Sequence, residues 1–384
     1  MKSEIEISKN ILNWVIQQTE NMDLSSDMKE LLAKWLSDEK KPTYNQVEKM
    51  SRTTGIPLGY FFLETPPNED LTIVEYRTVD SMELINPSRN LIETLKNMEF
   101  IQDWTRNYLS DSIDVLSYVG AMKNQENVIF IADFIRDVLQ IDKNWNILCR
   151  DAKEAFKFIR NRISDAGTIV MLNGIVGNNT RRILNINEFR AFALVDKIAP
   201  LIFINNNDSA NGKLFSILHE FAHICMGVNS LYNDYSETNV NYKKTERICN
   251  AAAAELLLPT DDFINEWNEY NYDPKDIIIR ISKNHCCSVV VTARKAVDNQ
   301  LISNQLYNQL VSQTNLIFQQ QKEKRDSSGG DFYRTTASRI DRNFLLYLSG
   351  SVSSGRTKYT DAFAMTNTNR KTYKTLMKRI GAVQ

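Results

Sequence analysis

Residues 212–228, GKLFSILHEFAHICMGV, place the tightest constraint on how this chain can fold. Leu214, Phe215, Ile217 and Leu218 carry apolar side chains at helical spacing, which predicts a helix facing the core. His219, Glu220 and His223 stand in the same stretch. An uncompensated polar group in such a helix costs roughly 1–3 kcal/mol or more, so the fold has to bring these three a partner. The chain has only 3 histidines, and two of them lie in this pentapeptide.

His219-Glu220-Phe221-Ala222-His223 reads H-E-x-x-H. Four residues is just over one helical turn, so the two rings share a face about 6 Å apart and can hold one tetrahedral metal. Glu220 is turned about 100° from His219, where it can serve as general base to a metal-bound water without being a ligand. Zn2+ is the expected cofactor, although manganese or iron would accept the same donors.

A third protein ligand would leave one position open. Met226 and Asn229 stand where a metzincin would place its glycine and third histidine, so a carboxylate is expected instead. Glu246 lies 23 residues after His223 in TERICNAAAAELLLP, on a predicted second helix that can return it to the metal. Glu255, Glu237 and Asp234 are its rivals. Glu255 is nine residues from Glu246, about half a turn round the helix, so the two cannot both face the metal. Asn250 shares the face of Glu246 and is expected to hydrogen-bond the outer nitrogen of a ligand histidine. Cys225 and Cys249 point to other faces and read as small core residues. Tyr232, Tyr235 and His285 are candidates for stabilising an oxyanion.

The surrounding text predicts an α+β fold, mainly helical, with a small β-sheet packed on the H-E-x-x-H helix. TIVML, RILNI, FRAFALV and PLIFIN are short β-rich runs separated by turn residues, and PLIFIN is expected as an edge strand able to pair with an extended peptide. Helices are expected within 1–68, 88–165, 243–258 and 274–300. YNQVEKMSRTTG followed by IPLGYFF suggests a helix-turn-helix-like unit. These readings divide the chain into 1–68, a helix-turn-helix-like helical domain; 69–150, a helical region; 151–318, a zincin-like metallopeptidase domain; 319–331, a linker; and 332–384, a basic C-terminal domain.

HEFAH followed by E-x-x-x-N-x-x-A-A-x-L-L-x-P (Glu246, Asn250, Ala253, Ala254, Leu256, Leu257, Pro259) resembles the ImmA/IrrE family of zinc metallopeptidases. FRAFALVDKIAPLIFINNN resembles that family's strand pair, and the segments at both ends resemble the flanks of its longer members. Ala191 departs from the glycine of that pattern. The resemblance implies a zinc endopeptidase with His219, His223 and Glu246 on the metal and Glu220 as base. Its implied substrate is a cytoplasmic helix-turn-helix repressor or antitoxin, in mobile-element, stress or phage-defence regulation. The alternative is a DNA-binding transcription regulator with a non-catalytic zinc scaffold, which has no need of a base at Glu220.

Charge separates the two ends. The formal net charge is −1 over 384 residues, which announces neither a nucleic-acid nor a membrane-surface binder. Residues 1–70 hold 8 Lys/Arg against 12 Asp/Glu, the wrong sign for a phosphate backbone. Residues 322–384 hold 13 against 5, and TDAFAMTNTNRKTYKTLMKRI suggests a helix–turn–helix with Arg370, Lys371, Lys374, Lys378 and Arg379 on its second helix. Nucleic acid is therefore a candidate partner of this end, as is an acidic protein surface. Five cysteines without a C-x-x-C pair, an acidic start and no long apolar run lead to the expectation of a cytoplasmic protein with no membrane span.

Overall fold

The computed structural model describes residues 4–19, 22, 24–67, 87–110, 114–232, 240–323 and 332–381. In chain order the elements are α1 (Lys9–Thr19), α2 (Ser26–Leu36), α3 (Tyr44–Thr54), a 3-10 helix (Leu58–Phe62), α4 (Arg89–Leu109), α5 (Val128–Leu139), α6 (Ala152–Asp165), β1 (Ile169–Asn173), β2 (Ile175–Val176), β3 (Asn179–Ile183), β4 (Ala191–Leu194) and β5 (Leu201–Asn205). Then come α7 (Ala210–Met226), β6 (Ser230–Tyr232), α8 (Val240–Leu257), α9 (Thr260–Glu269), α10 (Pro274–Asn284), α11 (Val289–Asp298), α12 (Asn304–Glu323), α13 (Phe332–Arg339), α14 (Arg342–Ser353), α15 (Tyr359–Thr366) and α16 (Arg370–Arg379). The fold is α+β and mainly helical.

The chain divides into two compact units. The first takes in the described residues of Met1–Arg77 and Met82–Asn97 together with Gly174–Leu184. Ile11, Leu12, Val15, Trp35, Val47, Met50, Ile56 and Phe61 form its core. Thr43 and Gln46 close a capping box on α3, and Gly55 ends that helix at φ +73°. The short second helix expected after this turn is a five-residue 3-10 helix that turns Phe61 inward. One tightly wound turn is too short to lie along a DNA groove, so the unit lacks a recognition helix there.

The second unit takes in the described residues of Met98–Asn173 and Asn185–Gln384. Its sheet has the order β1-β5-β4-β6, with β1 parallel to β5 and the other pairs antiparallel. All four residues of β4 and all five of β5 are buried, the mark of strands covered on both faces. PLIFIN therefore does not form an edge strand: β5 has β1 on one side and β4 on the other. Its continuous apolar run is the pattern of an inner strand, whose hydrogen bonds are already taken. Ala191, where glycine was expected, pairs with Ile204 and Tyr232 in ordinary strand register.

One outer edge of the sheet is covered. Val170 N donates to Asp341 Oδ2 at 3.1 Å, and Arg160 Nη2 donates to the carbonyls of Val170 (2.9 Å) and Ile340 (3.1 Å). Asp341 also caps α14 through Asn343 N and Phe344 N, so one carboxylate seals a strand edge and starts a helix. The C-terminal helices thus pack within this unit. The helix predicted over 274–300 is two helices, because Cys286 at φ +49° breaks it between α10 and α11. α12 runs five residues into the segment expected as linker, and 324–331 lies outside the described residues.

Candidate metal centre

α7 starts where Ser209 Oγ accepts a hydrogen bond from Gly212 N at 2.9 Å. It ends at Gly227, whose φ of +72° lets the chain reverse. Ser216 through Met226 are buried without interruption, because α7 packs on β4 and β5 and is flanked by α6 and α8. His219, Glu220 and His223 accordingly have no exposed surface.

α8 returns Glu246 to this helix. His219 Nε2 lies 3.1 Å from His223 Nε2, Glu246 Oε2 lies 3.3 Å from His219 Nε2, and Glu246 Oε1 lies 2.9 Å from His223 Nε2. A tetrahedral zinc with bonds of about 2.0–2.1 Å has ligand-to-ligand edges of about 3.3 Å. The contacts of 2.9–3.3 Å run close to that edge, and one donor atom from each of the three residues lies within 4.8 Å of the other two. Among the described residues they are the one His/Cys/Asp/Glu group gathered tightly enough to hold a metal ion. Two imidazoles and one carboxylate suit Zn2+ and leave room for a fourth ligand, so the residues fit the metal.

Glu220 stands beside the trio and outside it. Ser230 Oγ, on β6, donates to Glu220 Oε2. Oε1 of the same carboxylate has no hydrogen-bond partner among the described residues. One oxygen is thus held while the other is left without a hydrogen-bond partner among the described residues. Burial raises the Glu220 carboxyl above the ordinary carboxylate value, against the pull of His219, His223 and the Ser230 hydroxyl. Burial alone would also raise Glu246, but the rings of His223 and His219 outweigh it and hold that carboxyl well below the usual range.

Of the rival carboxylates, the structure separates Glu255 from the trio. Glu255 points away from the histidines and pairs with Lys295 Nζ at 2.7 Å, each side chain only 8% exposed. Glu237 and Asp234 lie outside the described residues, as does Tyr235, and the side chain of Tyr232 is not described. His285 is held by Glu266 Oε2 at 2.8 Å, beside Asn284, and takes no part in the trio. Asn250 does not make the bond expected of it: its Oδ1 and the Nδ1 of His223 each lack a hydrogen-bond partner among the described residues. Besides Glu246, the α8 side chain that interacts with His223 is the thiol of Cys249. Phe215, one turn before His219, stacks on its ring at 6.2 Å. Ser230 and Cys249 were not legible as site residues. Ser230 reaches Glu220 only because β6 pairs with β4, and nothing in the sequence announces that three-residue strand.

Residues 179–296 match a peptidase family model described as IrrE N-terminal-like domain. This segment belongs to the IrrE N-terminal-like peptidase family. The IrrE-like segment contains the whole trio, Glu220 and Ser230, and it closes just past Lys295. Residues 340–379 match a second model, a domain of unknown function (DUF8813). Comparison with curated proteins and with solved structures gives no match. Among the described residues no helix is long and apolar enough to cross a membrane.

Proposed function

We propose that the IrrE-like segment, within a peptidase domain spanning 151–318, is a zinc endopeptidase that hydrolyses a peptide bond in a cytoplasmic protein. The substrate class is a helix-turn-helix repressor or an antitoxin, in the control of mobile-element, stress or phage-defence genes. His219, His223 and Glu246 would hold Zn2+, which supplies Lewis-acid polarisation and an acidified water when bound. Glu220 takes a proton on Oε1 and later delivers it to the leaving amine nitrogen. Ser230 fixes the other oxygen, so the carboxylate need not reorient between the two transfers. Burial of Glu220 brings its proton affinity nearer to neutrality, which suits a group that must both accept and donate. The outer edge of β6 replaces β5 as the strand along which an extended substrate would lie, because β6 has only β4 beside it among the described residues.

The observation that carries this reading is Glu220 itself, buried next to a three-donor cluster with one oxygen anchored and one unpartnered. A closed structural zinc site has no use for such a group. The test compares new protein N-termini in host cells making the protein or its Glu220→Gln variant. Termini in one protein that arise only with Glu220 support the proposal and name the target. Cleavage retained by a zinc-loaded Glu220→Gln variant overturns the mechanism.

A further inference from the structure

α15 and α16 are joined by Asn367, Thr368 and Asn369, with Asn367 left-handed at φ +50°. A helix of eight residues, a three-residue turn with one left-handed residue and a helix of ten residues is the plan of a helix-turn-helix. Asn369 Oδ1 accepts from Thr372 N at 3.0 Å and starts the second helix. Phe363 packs edge-on to Tyr373 at 5.5 Å, and Tyr359 meets the same ring at 6.2 Å, which pins α15 to α16.

The two faces of α16 differ completely. Thr372, Tyr373, Leu376 and Met377 are buried, whereas Arg370, Lys371, Lys374, Lys378 and Arg379 are exposed. Arg370, Lys374 and Lys378 step by four and Lys371 falls between them, so the cations form one stripe along the helix. α16 has no acidic residue, and among the described residues no carboxylate pairs with Arg370, Lys371, Lys374 or Lys378. A merely solvated helix face ordinarily mixes signs or adds i,i+4 pairs, as α2 does with Glu30 and Lys34. Here the charges share one sign in a chain whose net charge is −1.

We propose that α16 is a recognition helix that lies in the major groove of duplex DNA, its basic stripe facing phosphates and base edges. A ten-residue helix about 15 Å long fits that groove, whereas the deep, narrow major groove of A-form RNA excludes it. The assignment is independent of the peptidase reading, because the stripe shares no residue with the metal centre.

The test is fluorescence anisotropy of the full chain against a labelled random-sequence DNA duplex from 50 to 200 mM salt. Four phosphate contacts give a slope of about −3.6 in log K against log salt, or roughly a 150-fold loss over that range. The triple charge reversal Lys371→Glu, Lys374→Glu, Lys378→Glu should abolish binding while thermal unfolding stays unchanged, since all three side chains are exposed. Lys374→Gln alone, which keeps a polar surface, should lower the slope by about 1. No binding at 50 mM salt overturns the proposal, as does full binding by the triple variant. Duplex RNA or polyglutamate competing better than DNA also overturns it, in favour of RNA or an acidic protein surface.

Discussion

α8 carries two acidic side chains that the helix turns to opposite sides, and their removal should have opposite consequences. Glu246 faces His219 and His223. Glu255 forms a buried pair with Lys295 and also accepts from Thr260 N at 3.0 Å and Thr260 Oγ1 at 2.6 Å. In Glu255→Ala the Lys295 ammonium keeps only the Leu258 carbonyl as partner. Breaking one half of a buried pair costs about 3–5 kcal/mol, and the lost Thr260 contacts place this variant toward the upper end. Adding Lys295→Met should recover most of the loss, because no buried charge is then left unpaired. Glu246→Gln should behave the other way. It removes the anionic donor of the metal trio, so zinc affinity should fall by more than the 10–100-fold that about one outer-sphere contact is worth. With chelator present its stability should stay much closer to that of the parent. Urea unfolding in chelator and calorimetric zinc titration give the two readouts. The reasoning is refuted if Glu255→Ala loses zinc affinity while keeping its unfolding midpoint, or if Glu246→Gln binds zinc as the parent does.

Ser230→Ala should retain zinc and slow peptide cleavage by about 10–100-fold, the size of effect expected for an orienting hydrogen bond near a metal site. The acidic limb of kcat/KM should lie above the ordinary Glu value of about 4.3, because burial raises the Glu220 carboxyl and the base works only when ionised. Ser230 donates to the ionised form, so Ser230→Ala should move that limb to still higher pH; a limb that shifts downward contradicts the assigned contact. Gly227→Ala places a side chain at φ +72° and a Cβ only 2.9 Å from the Cα of Gly120. Left-handed strain of about 1–2 kcal/mol and a backbone clash together predict a loss of roughly 2–4 kcal/mol. An unchanged urea midpoint for Gly227→Ala would show that the two segments part without cost.

The helices of 88–165 and the pentapeptide on α7 were legible because their signals are local. Apolar spacing near 3.6 residues, an N-cap such as Asp151 on α6 and a glycine stop such as Gly227 each act within a few positions. The sheet was legible in content and not in order. PLIFIN reads as a strand from its β-branched and aromatic residues, but whether a strand is inner or outer depends on partners far along the chain. The 3-10 helix at Leu58–Phe62 was legible as a short helix, while its tight winding follows from Phe61 entering the core of the first unit.

By itself the sequence determined the donor types at the candidate metal centre, the four-residue spacing that puts His219 and His223 on one face, and the basic stripe of α16. These follow from helix periodicity, which any stretch of helix imposes without outside help. Only the tertiary structure decided between Glu246 and Glu255, because that choice turns on which side of α8 packs against α7 and which meets Lys295. It alone brought Ser230 to Glu220 and Cys249 to His223, and it alone closed the edge of β1 with Asp341. Such contacts join residues through strand register and helix packing, and the free energy that selects them belongs to the whole buried core rather than to any one segment.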